Sequence, residues 1–215
     1  MAADRGRDSA ADPRSVRSRE ALSRAILALA AEGPVTEVTI TALCERAGVT
    51  RRTFYNHSDS PVALLKQVLT AELDVVGDRM RADTAEPDAD LTTAVRHSFG
   101  AMIDHVRLHR SIYRDAKTGR LHPDLYMLLR DHFFDALRHS IVTSVRRIPE
   151  IDRVRVGTPR YSSAVDLHAA YIANAYAGVI ESAIEHPSVT TEFALDVVVA
   201  SLPRWMLEAP TRSST

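Results

Sequence analysis

Thr39-Ile-Thr-Ala-Leu-Cys-Glu-Arg-Ala-Gly48-Val-Thr-Arg-Arg-Thr-Phe-Tyr-Asn-His-Ser58 is the stretch whose reading decides the fold. Thr39 offers a hydroxyl N-cap, and Ile40, Leu43 and Ala47 recur on one side of a short helix that Gly48 ends. Thr50 opens a second short helix. Gly48 supplies a left-handed or otherwise unusual backbone at the corner, and Val49 plugs the angle. Cys44 and Ala47 are small where the helices cross, while Leu43 and Phe54 lock the pair from inside. This is the anatomy of a helix-turn-helix.

On the second helix, Thr50, Arg51, Arg52, Thr53, Tyr55, Asn56 and His57 are left to point outward. Arginine can take guanine bidentately, Asn and Thr can meet base edges or thymine methyls, and hydroxyls can take phosphate oxygens. The mixture suits direct readout of double-stranded DNA.

Outward from this stretch the chain reads as helices. Leu22, Ile26 and Leu29 give a first helix over about Ser15–Ala31, stopped by Gly33-Pro34. Ser60-Pro61 opens a fourth, reaching about Asp83. Leu91 to Val106 form the next, followed by a short helical piece through Ala116, and Pro123-Asp124 starts a helix running to Val145. Arg147–Tyr161, with Pro149, Gly157 and Pro159, reads as a loop, and Ser163 as the cap of a helix that ends at His186-Pro187. A last helix after Thr190 passes through Phe193, Val197 and Ser201, with Pro203 expected to kink it. No strand and no internal repeat is expected. The domain reading is a disordered arm over 1–13, a helix-turn-helix domain over 14–59, a helical domain over 60–208 and a polar tail over 209–215.

Composition narrows the class. Hydrophobic residues at 45% and charged residues at 26% of 215 exclude a disordered or fibrous chain. A net charge of −1 argues against a binder that relies on bulk positive charge. Its distribution is more informative: Arg14, Arg17, Arg19 and Arg24 against Glu20 make a small basic patch near the start of the chain. No apolar run approaches the roughly 20 residues of a membrane span, the start is unlike a signal peptide, and the lone Cys44 calls for no oxidising compartment. The expected location is cytoplasmic, with no membrane partner.

With its turn, cap and aromatic positions in place, the sequence resembles the TetR family of bacterial transcriptional regulators over about Arg19–Leu69. The resemblance is carried by Ala25–Ala31, Gly33, Thr39-Ile40, Leu43, Ala47-Gly48-Val49-Thr50, Thr53-Phe54-Tyr55, His57 and Leu64-Leu65. It implies an all-α fold, with a three-helix DNA-binding domain followed by a helical bundle that binds ligands and dimerises. It also implies phosphate contacts from Thr39 and Tyr55, and base contacts from Thr50 to Thr53 and Asn56. Three positions depart from the family pattern: Ser58 where phenylalanine is usual, Pro61 where a phosphate-binding lysine is frequent, and Arg52 where glycine or proline is frequent.

The remaining candidates have bland and sharp readings. Cys44 reads as a small core residue rather than a redox group. His105 and His109 stand at i and i+4, with His132 and His139 downstream, but no Cys or carboxylate lies at ligand spacing, so no metal and no cofactor is expected. Phe99, Met102, Tyr113, Tyr126, Phe133 and Tyr171 fall on inward faces, where they would serve as core or line an effector pocket. Ala169, Ala173, Tyr176, Ile180 and Ile184 form a stripe that either buries against its own domain or faces a second copy. A two-fold pair reading two half-sites of a palindromic operator favours the second copy.

These expectations combine into a homodimeric repressor released from DNA by an unidentified small molecule, with the fourth helix as the lever. An enzyme with an accessory head is disfavoured, since no nucleophile and base come together. A ligand-independent architectural or protein-binding DNA regulator is the alternative.

Overall fold

The computed structural model describes residues 12–84, 90–143, 151 and 153–203. Among them are nine helices, and no strand beyond an isolated bridge between Arg114 and Leu121. The described residues up to Leu69 form one compact unit and those from Thr70 onward another, the boundary falling within a helix. The expected tail over 209–215 lies outside the described residues, as does most of the expected arm. Asp12 and Pro13 already belong to ordered chain.

In the first unit, α1 spans Pro13–Glu32, with the Asp12 carboxylate accepting from the Arg14 N–H at 3.1 Å and proline in the first turn. Its apolar period buries Leu22, Ala25, Ile26 and Ala30. A 3-10 turn, Val35–Glu37, leads to α2, Ile40–Ala47. The Thr39 hydroxyl caps α2 through the Ala42 N–H at 3.1 Å, and Gly48, at φ 66°, ends it in the left-handed region. In α3, Arg51–Tyr55, Thr50 repeats the capping arrangement. Leu22, Ile26, Leu43 and Phe54 are fully buried, each worth about 1.5–3 kcal/mol of transfer free energy, so α1 to α3 are held by one small core.

The next helix, α4, is Pro61–Asp83, capped by the Ser60 hydroxyl accepting from the Ala63 N–H at 3.1 Å. The second unit continues with α5, Leu91–Leu108, and α6, Arg110–Tyr113. The short helical piece ends at Tyr113, not Ala116. Asp115 accepts from the backbone N–H groups of Lys117 and Thr118, and Gly119 takes φ 75°, which folds the chain into a tight turn instead.

After this turn come α7, Pro123–Thr143, α8, Pro159–Glu185, and α9, Thr191–Ala200. The expected end of α7 at Val145 lies outside the described residues. The start of α8 is corrected: Thr158, not Ser163, caps it, and Pro159 is its first residue rather than a loop residue. Proline lacks an N–H that the first helical turn leaves unpaired in any case, so the same residue can break a helix or begin one. Pro203 likewise kinks nothing, because α9 has ended at Ala200.

Pairing of α7 with α8 is the most extensive among the described residues. Ala169, Ala173 and Ala177, all fully buried and four residues apart, let the backbones approach. At one end of this seam Ile141 and Ile151 pack with Val165 and Ala169. Leu195 and Val198 of α9 are buried with Val95, Phe99, Met102 and Ile103 of α5, and Arg96 of α5 reaches Glu192, at 2.8 Å, and Asp196 of α9. Both ion pairs lie at the surface, where solvent screens them, so burial dominates.

Candidate nucleic-acid interface

The interface begins with backbone groups that caps leave occupied. Thr50 Oγ1 accepts from the Thr53 N–H at 3.1 Å and lies 2.9 Å from Thr53 Oγ1, which fixes both threonines at the opening of α3. Phe54 is fully buried, and this anchors the helix by one side. The opposite side then carries Arg51, Arg52, Tyr55 and Asn56, all exposed, at the i, i+1, i+4, i+5 spacing of a single helix face. Thr39 and Thr50 are exposed beside them, whereas Thr53 and His57 are half-buried.

Individual side chains differ in their freedom. The Arg51 guanidinium donates to Thr41 Oγ1 at 2.5 Å, which ties α3 to α2. The Arg52 guanidinium makes no hydrogen bond or ion pair among the described residues and is available to a partner, while its backbone carbonyl accepts from the Asn56 N–H at 3.2 Å. Tyr55 is 57% exposed, its ring set edge-on to Phe54 with centroids 5.4 Å apart. On α1, Arg14, Arg17, Arg19 and Arg24 are exposed, and Arg17 and Arg24, seven residues apart, share one face. Neutral caps, a free guanidinium, a phenol and an amide make a surface that donates and accepts hydrogen bonds without dense charge.

Two sequence departures acquire a structural meaning. Ser58 is buried, and its hydroxyl donates to the Ser60 carbonyl at 3.2 Å, so it braces the start of α4 from the place where an aromatic is usual. Pro61 is the first residue of α4 and leaves the cap to Ser60. Cys44 is buried, and burial pushes its thiol up, with Arg51 opposing in part, so it is a poor nucleophile.

In the second unit the six candidate pocket residues separate. Phe99 and Phe133 stack with centroids 6.0 Å apart, and Met102 is buried. Tyr113 is fully buried and bonded at 3.1 Å to His105, while Tyr126 is half-buried. Tyr171 is corrected outright: it is 75% exposed and points away from the core. An open cleft of about 260 Å3, lined by Thr70, Asp74, Arg81, Asp131, His132 and Asp135 among others, includes none of the six.

The expected dimer stripe is corrected too. Ala169, Ala173, Ile180 and Ile184 are buried within the chain's own unit, and Tyr176 packs edge-on against Phe99 and Phe133 at 5.1 and 5.5 Å. The Tyr176 hydroxyl is buried without a hydrogen-bond partner among the described residues. Leu167 at 71% and Tyr171 at 75% occupy the free face of α8, and Phe193 at 60% and Val197 at 40% that of α9. Each pair stands at i, i+4, a signal present in the sequence but masked by the stronger stripe behind it.

The His105 and His109 pair read from the sequence acquires in this unit a third group, Glu72, that no local signal announced. Glu72 of α4 lies between His105 and His109 of α5. Burial, with like-charge repulsion from His109 and His132, pulls His105 down to about 4, and burial likewise lowers His132.

Similarity to solved structures is extensive in fold and faint in sequence. A TetR-family transcriptional regulator from Streptomyces coelicolor matches with a TM-score of 0.54 at 16% identity, over 85% of this chain and 78% of that one. The fatty acid degradation regulator FadR from Bacillus halodurans matches with a TM-score of 0.56 at 10% identity, over 86% and 99%. RolR in complex with resorcinol matches with a TM-score of 0.50 at 19% identity, over 93% and 96%. No protein-family model matches the chain, and no curated protein matches it in sequence. The chain has the all-α fold of TetR-family transcriptional regulators. No helix among the described residues is long and apolar enough to cross a membrane.

Proposed function

We propose that this chain is a DNA-binding transcriptional regulator that acts as a homodimer and is released from a palindromic operator by a small molecule. The observation that carries the reading is the exposed Arg51-Arg52-Tyr55-Asn56 face of α3, backed by buried Phe54 and opened by the Thr50 cap. A recognition helix needs that combination: a fixed inner side, and an outer side of hydrogen-bonding groups that read bases and grip phosphates. In this reading Thr39 and Tyr55 hold phosphates, Thr50 to Thr53 and Asn56 supply the base contacts, and His57 supports them.

Dimerisation is assigned to the free faces of α8 and α9 around Leu167, Tyr171, Phe193 and Val197. Four large apolar side chains exposed in two i, i+4 pairs offer an apolar surface for a partner to cover. A two-fold pair also presents two recognition helices to two half-sites, which a single short α3 needs for affinity.

Effector control is assigned to the Phe99, Phe133 and Tyr176 cluster. RolR has been solved with resorcinol. Here a buried phenol hydroxyl without a partner costs about 1–3 kcal/mol, relieved by a small apolar or aromatic ligand with one hydrogen-bonding group. A coupling of about 1–3 kcal/mol between that ligand and DNA is enough for release. Repression follows if the unliganded dimer holds the operator.

The test is selection of bound fragments from the source genome with the purified protein, followed by a screen of small aromatic metabolites for release. The proposal expects enrichment of a short two-fold-symmetric site. Uniform recovery of unrelated fragments would exclude a sequence-specific reader.

A further inference from the structure

We infer that Glu72, His105 and His109 form a binding site for one divalent transition-metal ion of the zinc and cobalt class, independent of the DNA-binding reading. His109 Nε2 lies 2.9 Å and His105 Nδ1 3.4 Å from the same oxygen, Glu72 Oε2. All three ligand atoms fall within 4.8 Å of one another. Donors about 2.1 Å from a tetrahedral ion sit roughly 3.4 Å apart, so the two distances to Glu72 Oε2 are each within about half an ångström of that spacing and the third is at most 4.8 Å, a triangle that closes on such an ion by side-chain adjustment.

The donor set selects the metal. Two imidazoles and one carboxylate suit zinc, cobalt and nickel, whereas calcium and magnesium prefer oxygen alone. His105 and His109 stand one helical turn apart on α5, which is chelating geometry, and the carboxylate that local spacing lacks comes from α4, 37 residues before His109. A sequence reading of α5 by itself misses the site for that reason.

A second observation fits a metal site. With Nδ1 turned to the carboxylate, the other nitrogen of His105, Nε2, lies 3.1 Å from the hydroxyl of fully buried Tyr113. A ligating imidazole normally donates its remaining N–H to such an acceptor, which fixes ring orientation and tautomer. The side chains of His105 and His109 are 9% and 13% exposed and that of Glu72 is 37% exposed. The imidazoles are therefore held by packing, while the carboxylate side is reachable from solvent. Three protein ligands leave a fourth position for water or an anionic group, and an ion there ties α4 to α5.

The experiment titrates the chelator-treated full chain with Co2+ and follows visible absorption, then displaces the ion with Zn2+. The inference expects one Co2+ per chain with the intense bands of a tetrahedral ion. Glu72→Gln and His109→Asn should each weaken binding at least tenfold, and Tyr113→Phe should weaken it by about 10–100-fold while keeping the band positions. His139→Ala, at an exposed imidazole elsewhere on α7, should change nothing. Circular dichroism reports which variants have folded, and Glu72→Gln, at the more exposed of the three ligands, keeps the test open if a variant of a packed side chain does not fold. Absence of tetrahedral bands, or equal Co2+ affinity in wild type, Glu72→Gln and His109→Asn, overturns the site.

Discussion

Tyr55 stands edge-on to Phe54, ring centroids 5.4 Å apart at 66°, so that adjacent aromatics divide the labour of α3, one fully buried and the other 57% exposed. This division separates folding from recognition. Phe54→Ala should cost the first unit about 3–5 kcal/mol in urea unfolding and abolish DNA binding with it. Tyr55→Phe should leave stability nearly unchanged and weaken binding to all sequences alike, because only a phosphate-gripping hydroxyl is lost. A sequence-dependent loss for Tyr55→Phe would reassign that hydroxyl to a base.

Gly48 turns the chain between α2 and α3 at φ 66°, and nothing lies within 4 Å of the place a Cβ would occupy. The cost of Gly48→Ala is therefore conformational rather than steric, about 1–2 kcal/mol. Thermal unfolding should show a lowered Tm for Gly48→Ala and a smaller drop for Gly48→Asn, since asparagine tolerates the left-handed region. An alanine variant as stable as the wild type would mean that the corner relaxes freely.

The free faces of α8 and α9 predict the oligomeric state. Leu167→Glu combined with Phe193→Glu should convert a species of twice the chain mass to one of single mass in sedimentation, because charge would be buried at the seam. Ala175→Ser, also exposed on α8, serves as the mild control. A double variant that still sediments as a dimer would move the interface elsewhere.

His105 gives the pH prediction for the metal-free protein. Its folded value of about 4 lies below the roughly 6.5 of an unfolded histidine, so the unfolded chain takes up this proton first as pH falls. The stability it supports is complete above about pH 7 and is lost between about 6.5 and 4, to a total of about 3 kcal/mol. Urea unfolding of the chelator-treated protein at pH 7 and 4.5 should show the decline, and His105→Gln should flatten it. An unchanged slope in the variant would assign the acid sensitivity to other groups.

The first unit was legible because its determinants are local. Thr39, Gly48 and Thr50 act within four residues of themselves, through caps and one left-handed turn, and the buried period of α1 repeats every three or four residues. The second unit was harder wherever two local signals coincide. Pro159 marks a loop and a helix start equally well, and only the Thr158 hydroxyl decides between them. On α8 the apolar stripe through Ala169 and Ile180 and the pair Leu167–Tyr171 each have helical spacing. Which one faces α7 depends on α7 itself, where small alanines fit the close approach and large residues do not. Glu72 lay beyond local reading altogether, since helix packing alone brings it to His105 and His109.

Arg52 is the exposed guanidinium of α3 that the chain leaves without a partner among its described residues, and it tests the central claim most directly. Fluorescence anisotropy should be measured for wild type and Arg52→Ala on the enriched two-fold site, on single-base variants of it, and on scrambled DNA at fixed salt. The account predicts that the wild type prefers its site by roughly 10³-fold or more, and that Arg52→Ala costs about 1–3 kcal/mol with relaxed preference at one base position per half-site. Equal affinity of the wild-type protein for the enriched and scrambled duplexes would contradict it.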